Sequence, residues 1–310
     1  MLILRDTSKI PQQYLGAVAA IGNFDGIHLG HREVIGRAVA LARESGKVAI
    51  VLTFEPHPRR VFRPELPTLR IIPFVEKAHL LKECGVDAMR VIRFTREFAQ
   101  TTAEQFVRNI LLGQLQLSHV VTGDDFIFGH NREGNIDYLK KMAAEEGFGY
   151  TVCPQVSVGS DRCSSTRIRA LLAEGRVEEA SSLLGRPYSI TGIVRDGDKR
   201  GRQLGFPTAN IRPGRIFTPE NGVYAIRARI GGRLVDGVAN LGVRPTFGEN
   251  RLQLEVHLFD WEEEIYGEHM ETYFIGQIRN ERKFDGIEAL KKQITDDCGQ
   301  ARIMLESCKI

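Results

Sequence analysis

The sequence predicts two domains of different class: an α/β domain over residues 1–185, and an antiparallel β domain with a closing helix over residues 186–310. Three observations lead to this prediction. The chain has 310 residues, about twice the usual length of one domain. Strand-like and helix-like segments alternate in the first half, which is typical of a doubly wound parallel sheet. After Gly185, short strand patterns follow one another between turns, which is typical of an antiparallel barrel or sandwich.

The elements of the first domain follow from apolar runs and helical periodicity. Short apolar runs predict strands at 17–21, 48–54, 86–92, 118–122 and 150–154. Periodic segments between them predict helices at 31–43, 75–82, 103–112 and 137–146. A last helical pattern covers 166–184, and Gly185-Arg186-Pro187 then marks the end of the domain.

The second domain is predicted from alternation of apolar and polar residues between turns. Strand patterns cover 189–194, 223–230, 233–241, 252–259 and 271–275. Gly231-Gly232 lies between two of them and is a hairpin signal. An amphipathic pattern at 286–295 predicts the closing helix.

Composition and charge exclude several classes of function. Lys plus Arg is 42 and Asp plus Glu is 39, a net charge of +3, so the clustered basic excess of a nucleic-acid-binding chain is missing from the sequence. No apolar stretch approaches the roughly 18 residues that a membrane span needs. The five cysteines are scattered, without a CxxC pair, which fits a reducing compartment. We therefore expect a cytoplasmic protein, a monomer or weak homo-oligomer, with neither nucleic acid nor membrane as partner.

The first candidate site runs from Gly22 to His31, between the first predicted strand and the first helix, where an open α/β sheet places its ligand. Gly22, Gly26 and Gly30 allow the backbone to approach a ligand closely and to adopt φ above zero. His31 falls in the first helical turn, whose N–H groups and positive dipole end attract phosphate, and His28 lies one turn earlier. Two imidazoles there can donate to a triphosphate and stabilise a leaving pyrophosphate. The alternative is a glycine-rich turn with two solvent-exposed histidines. The candidate residues are Gly22, Asn23, Phe24, Asp25, Gly26, His28 and His31.

The second candidate segment opens a later helix with Ser165 and Thr166. Their hydroxyls can cap the helix and donate to phosphate. Arg169 lies on the same helical face as Thr166, so it can meet the same anion. The alternative is a helix cap without a ligand.

The third candidate segment is the loop 122–135 after the fourth predicted strand, with Asp125, Phe126 and Phe128. An exposed loop that is rich in Phe and bounded by glycines suits a flat aromatic ligand. The alternative is an ordinary loop whose Phe side chains pack inward.

The second domain offers a candidate site of its own. Alternation places Gln253, Glu255 and His257 on one face of a predicted strand, so Glu255 is a candidate general base. Thr208 and Asn210 lie two residues apart, which suits joint coordination of Mg²⁺ by a hydroxyl and an amide oxygen. The alternatives are a solvated carboxylate and a plain turn.

These motifs resemble those of a known family. Residues 22–31 resemble the HxGH signature of nucleotidyltransferases, and 164–169 resemble the SSTxxR motif that accompanies it. With the segment 53–58 they resemble the N-terminal module of the bacterial bifunctional riboflavin kinase/FAD synthetases. The loop 123–135 is similar to the flavin-proximal segment of that family, with Asp125 where Asn is common and Asn135 where Asp is frequent.

The second domain extends the resemblance. Residues 201–210 resemble the GRxLGFPTAN motif of the riboflavin kinases, and 240–247 and 255–260 match further segments, so the resemblance runs from about Gly22 to Ala301. It implies that Thr208 and Asn210 serve magnesium and that Glu255 is catalytic. It also implies an ATP site at the glycine-rich stretches, with Gly197, Gly201, Gly205 and Pro207. Lys199 and Arg202 surround these stretches and can neutralise the ATP phosphates, the alternative being a solvated basic face.

The resemblance implies a Rossmann-like nucleotidyltransferase domain followed by a β-barrel riboflavin kinase domain. The expected function has two steps, phosphorylation of riboflavin by ATP to FMN and ADP, and adenylylation of FMN by a second ATP to FAD and pyrophosphate. Mg²⁺ is the expected cofactor. One rival hypothesis is a nucleotidyltransferase that acts on another phosphorylated acceptor. A second is a flavin sensor that acts on nucleic acid, which the near-neutral charge disfavours.

Overall fold

The computed structural model describes residues 1–5, 10–65, 69–196, 201, 205–246 and 249–308. The chain divides into two compact units, Met1–Ser165 and Thr166–Ile310. Within the described residues, no helix combines the length and the apolar character needed to cross a bilayer.

The first unit contains a parallel sheet of six strands. In spatial order they are β1 (Leu2–Arg5), β4 (Ala88–Arg93), β3 (Ala49–Glu55), β2 (Val18–Ile21), β5 (His119–Gly123) and β6 (Gly149–Cys153). All four residues of β2 are buried, as expected for a central strand covered on both faces. The chain continues from β2 to β3 on one side and places β5 on the other, so the order reverses between β2 and β5. Ligands of open α/β sheets bind at such a switch point.

The helices of the first unit confirm the predicted doubly wound class. They are α1 (Leu29–Glu44), α2 (Pro58–Phe62), α3 (Phe74–Glu83), α4 (Ala103–Gln105), which continues as a π-helical segment (Phe106–Gln114), and α5 (Ile136–Glu146). The strand β1, the short helix α2 and a hairpin of β7 (Ser157–Val158) and β8 (Asp161–Arg162) were not predicted. Each is too short to give a periodic pattern.

The single helix predicted at 166–184 is wrong, because the chain forms α6 (Ser165–Ala173) and α7 (Val177–Leu184). The break contains Gly175, which has φ +73°, and a Cβ there would collide with the side chain of Gln277. Glycine adopts this left-handed conformation most readily, and with any other residue the end of the Gln277 side chain would have to move. The compact units divide after Ser165, the first residue of α6, whereas the sequence predicts a module boundary near residue 185. That boundary stays a prediction.

The second unit contains an antiparallel sheet of six strands. In spatial order they are β10 (Ala209–Ile211), β13 (Glu249–Leu258), β12 (Arg233–Thr246), β11 (Gly222–Ile230), β14 (His269–Asn280) and β9 (Tyr188–Ile193). A bridge in which the Arg195 N–H donates to the Asn210 carbonyl at 2.8 Å joins the two edges of the sheet. The predicted barrel class is confirmed, and β10 is an additional strand.

The predicted hairpin and closing helix are both present. Gly231 and Gly232 have φ of +55° and +81°, as a tight hairpin between β11 and β12 requires. The helix α8 (Ile287–Ser307) is longer than predicted. It buries Ala301 and Leu305 in a cluster with apolar residues of the sheet, and its buried Asp297 binds Arg279 of β14 at 2.8 Å.

Candidate active sites

The loop after β2 has an unusual backbone. Phe24 and Ile27 have φ of +48° and +41°, and Gly26 has φ +89°. The predicted positive φ is thus correct for Gly26 and wrong for Gly22 and Gly30. A Cβ at Gly30 would lie 3.3 Å from the His28 ring and 3.4 Å from the Cys163 carbonyl. This glycine therefore permits close packing, and not a left-handed turn.

His28 and His31 lie together at the start of α1. His28 is the N-cap, and its Nδ1 accepts the backbone N–H of His31 at 3.2 Å. An accepting nitrogen carries no hydrogen, so the neutral His28 ring holds its hydrogen on Nε2. The two rings stack with centroids 3.6 Å apart, and the Phe24 ring meets His31 edge-on at 5.3 Å. His28 is 5% exposed, which is against the alternative of two solvent histidines.

Asp25 and Ser165 hold this loop in place. The buried Asp25 carboxylate accepts the backbone N–H of Ile71 at 2.9 Å, and the Ser165 hydroxyl donates to the Asp25 carbonyl at 2.8 Å. These two contacts hold Asp25 and the loop in place. Participation of Asp25 in the ATP site stays a prediction. Direct phosphate contact by Ser165 stays a prediction. Burial raises the pKa of the nearby Cys163 thiol, which keeps it a neutral packing group.

The residues Thr166 and Arg169 occupy the first turns of α6, whose first residue Ser165 ends the first unit. Their spacing places them on one face of the helix, as predicted. Their binding of phosphate stays a prediction.

Asn23 contributes two oxygen atoms to the same loop. Its backbone carbonyl accepts from Lys77 Nζ at 3.0 Å and from the Thr53 hydroxyl at 3.2 Å. Its side-chain Oδ1 is buried and has no hydrogen-bond partner among the described residues. A buried acceptor in this position favours a donor supplied by a ligand.

The loop after β5 packs its aromatic residues partly inward. Phe128 is 8% exposed and contacts Phe106 at a centroid distance of 5.5 Å. Phe126 is half-buried and stacks on Phe128 at 5.2 Å. The alternative of inward packing thus applies to Phe128, whose buried ring stacks against the ring of Phe126.

The two positions at which the loop departs from the family pattern have clear contacts. Asp125 is exposed and forms an ion pair with Arg162 of β8 at 2.7 Å. Asn135 is the N-cap of α5, and its Oδ1 accepts the backbone N–H of Tyr138 at 2.9 Å. Asp and Asn cap helices equally well, so the second departure preserves the cap.

The strand register of the second unit brings together residues that are distant in sequence. Glu255 of β13 is paired with Asn210 of β10 on one side and with Asn240 of β12 on the other. Directly paired residues of antiparallel strands share a face of the sheet. The carboxylate therefore lies between two amides. Asn240 was not among the predicted site residues, because strand register cannot be inferred from a single sequence.

Two side chains of β13 form hydrogen bonds to β10 and to the residues just before it. Gln253 Nε2 donates to Asn210 Oδ1, and His257 Nδ1 lies 2.9 Å from the Pro207 carbonyl. A carbonyl accepts, so His257 donates through Nδ1. These contacts fix the segment that carries Thr208 and Asn210 against β13, with Asn210 paired to Glu255. Joint coordination of Mg²⁺ by Thr208 and Asn210 stays a prediction.

Of the predicted ATP residues in this unit, Gly197, Lys199 and Arg202 lie outside the described residues. Gly201, Gly205 and Pro207 are described. The Phe206 N–H donates to the Gly201 carbonyl at 2.8 Å, and a Cβ at Gly201 would collide with the Phe206 carbonyl. A larger residue at position 201 would therefore clash with the Phe206 backbone.

Comparison with known proteins covers both units. Residues 10–167 match a family model described as FAD synthetase, and 184–305 match one described as riboflavin kinase. The bifunctional riboflavin kinase/FMN adenylyltransferase of Escherichia coli (strain K12) is 40% identical, over 95% of this chain and 94% of that protein. The Bacillus subtilis (strain 168) protein of the same name is 39% identical, over 94% and 93%.

A solved structure shares the fold. A crystal structure from Streptococcus pneumoniae, named as a macrolide-efflux protein, is similar with a TM-score of 0.88 and 31% identity, over 97% of this chain and 99% of that one. The family-model matches and the identity over nearly the whole chain show that it belongs to the bifunctional riboflavin kinase/FMN adenylyltransferase family.

Proposed function

We propose that the two sites of this chain perform successive reactions, the second unit making FMN and the first unit converting it to FAD. The chain is a riboflavin kinase and an FMN adenylyltransferase. In the first reaction the terminal ribityl oxygen bonds to the γ-phosphorus of ATP. The bond between the γ-phosphorus and the β-phosphate oxygen breaks, and ADP leaves. In the second, an FMN phosphate oxygen bonds to the α-phosphorus of ATP. The bond between the α-phosphorus and the oxygen that bridges it to the β-phosphorus breaks, and pyrophosphate leaves with that oxygen.

The observation that carries the kinase assignment is the pairing of Glu255 with Asn210 and Asn240. Glu255 accepts the proton of the ribityl hydroxyl as that oxygen attacks, which is the role of a general base. Strand register places one amide on each side of this residue. Lys199 and Arg202 are proposed to bind the ATP phosphates with Gly197, Gly201, Gly205 and Pro207.

The oxygen donors beside Glu255 fit a magnesium ion. Mg²⁺ prefers oxygen ligands, and an amide oxygen has two lone pairs, so Asn210 Oδ1 can accept from Gln253 and still face a cation. We assign Thr208 and Asn210 to this ion. When bound, Mg²⁺ neutralises charge on the phosphate groups.

The adenylyl-transfer site needs no strong protein base, because the FMN phosphate is already anionic. Its residues position ATP and stabilise charge on the leaving pyrophosphate. We assign stabilisation of that charge to His28 and His31, whose rings are stacked at the N-terminus of α1. We assign phosphate contacts to Ser165, Thr166 and Arg169. The half-buried ring of Phe126, supported by Phe128 and bounded by Asp125, is assigned to the flavin.

The cellular setting belongs to the same proposal. Substrates and products are riboflavin, FMN, FAD, ATP, ADP and pyrophosphate. We propose that the chain works in the cytoplasm as a monomer or weak homo-oligomer, without nucleic-acid or membrane partners. The net charge of +3 supports the absence of a nucleic-acid partner.

A time course of flavins tests the proposal. Purified protein is incubated with riboflavin, ATP and Mg²⁺, and flavins are separated by chromatography. We expect FMN to form first and FAD to follow, and chelation of the metal to stop both. FMN without FAD would contradict the assignment of the first unit, and no conversion would favour the rival hypothesis of another acceptor.

The predicted module boundary at 185 has a test of its own. A fragment of residues 186–310 should still make FMN, because the kinase strands and α8 all lie within it. A fragment of residues 166–310 should melt at a higher temperature, because α7 adds four buried apolar residues. Thermal melts and FMN formation by both fragments check this. Activity in the longer fragment alone would move the boundary to Ser165.

A further inference from the structure

Lys77 is a buried lysine that the proposed mechanism does not use. Its side chain is 5% exposed, and Nζ lies 3.2 Å from Glu55 Oε1 and 3.0 Å from the Asn23 carbonyl oxygen. Lysine is almost never fully buried unless its charge is paired. Glu55 supplies that charge here.

The ion pair alone does not explain why a lysine is buried. The other oxygen of Glu55 already accepts from Arg70 Nη2 at 2.5 Å, so the carboxylate has a cationic partner without Lys77. The contact that Lys77 adds is the one to the Asn23 carbonyl, at the start of the loop that follows β2.

The backbone conformation of the loop after β2 has to be held by its surroundings. Phe24 and Ile27 are large residues with positive φ, and such conformations persist only where the surroundings hold them. Both side chains are buried, and the Phe24 ring contacts His31. The Asn23 carbonyl, immediately before Phe24, accepts from both Lys77 and Thr53. These two donors therefore fix the residue from which the strained turn begins.

We propose that Lys77 and Thr53 are positioning residues for adenylyl transfer, which hold the Asn23–Ile27 loop and the His31 ring in the geometry that receives the ATP phosphates. The inference rests on the proposed function of the first unit. Lys77 acts through the loop and does not itself contact substrate.

The test compares KM for ATP in the two reactions of the full-length protein. Lys77→Met should raise KM for ATP in FAD formation about tenfold, the effect of losing one hydrogen bond to a charged group. Thr53→Val, which leaves the ion pair intact, should raise it about fivefold. KM for ATP in FMN formation should not change in either variant. A smaller fraction of folded protein would lower kcat and leave KM unaltered, so a purely structural role gives a different result.

The matched control is Lys82→Met, which removes an exposed lysine from the same helix. It should leave both KM values unchanged, and an equal rise in this control would overturn the proposal. An unchanged KM for ATP in Lys77→Met and Thr53→Val would also overturn it. If Lys77→Met does not fold, Thr53→Val alone decides. Failure of the unaltered protein to make FAD would instead contradict the proposed function.

Discussion

Glu255→Gln should form FMN two to four orders of magnitude more slowly than the unaltered protein, in about the range expected for loss of a general base. The amide keeps the shape of the side chain and its place between Asn210 and Asn240, but it cannot accept the ribityl proton. FAD formation from supplied FMN should be unaffected, because that reaction belongs to the first unit. Initial rates with riboflavin and with FMN measure the two effects separately.

The control for this variant is Glu264→Gln, which removes an exposed carboxylate from the same unit. It should leave FMN formation unchanged. A Glu255→Gln protein that makes FMN at the normal rate would remove this residue from the mechanism.

His28→Asn should lower FAD formation from FMN by about two orders of magnitude, as expected for loss of a group that stabilises developing charge. Asn is among the best N-cap residues, so it replaces the contact to the His31 N–H while removing the Nε2 donor. FMN formation from riboflavin should stay normal. The measurement is the rate of pyrophosphate release with saturating FMN and ATP.

Comparison with His28→Ala separates the role of His28 as the N-cap of α1 from its role in the reaction. The alanine variant should be equally slow and should also melt at a lower temperature, because it loses both functions. His79→Ala, at an exposed position of α3, is the matched control and should be fully active. Equal loss of FMN and FAD formation in His28→Asn would show that the assignment of reactions to units is wrong.

Local pattern predicted much of the fold and both candidate sites. The apolar run before Gly22 and the periodicity after His31 predicted β2 and α1, and alternation predicted the face of β13 that carries Glu255. These features depend on residues that are close in sequence, which is why one sequence was sufficient to find them.

The features that were missed depend on contacts between distant segments. The helix breaks at Gly175, where the side chain of Gln277 lies close. Asn240 is placed beside Glu255 by the pairing of β12 with β13. Lys77 left a weak signal, since it lies three and four residues before the buried Leu80 and Leu81, on the apolar face of α3. A charged residue at such a position indicates a buried partner, but the sequence does not say which one.

Glu255 lies on β13 and is paired with residues of both neighbouring strands, which limits where insertions and deletions can occur in this chain. Residues of a strand alternate between faces, so one residue inserted between Leu252 and Glu255 would turn the carboxylate towards the side occupied by the buried Leu254 and Val256. Insertions at 212–221 or 259–268, which connect strands, leave that parity intact. Among relatives, we therefore expect length differences to collect in those connections while the core of β13 keeps a constant length.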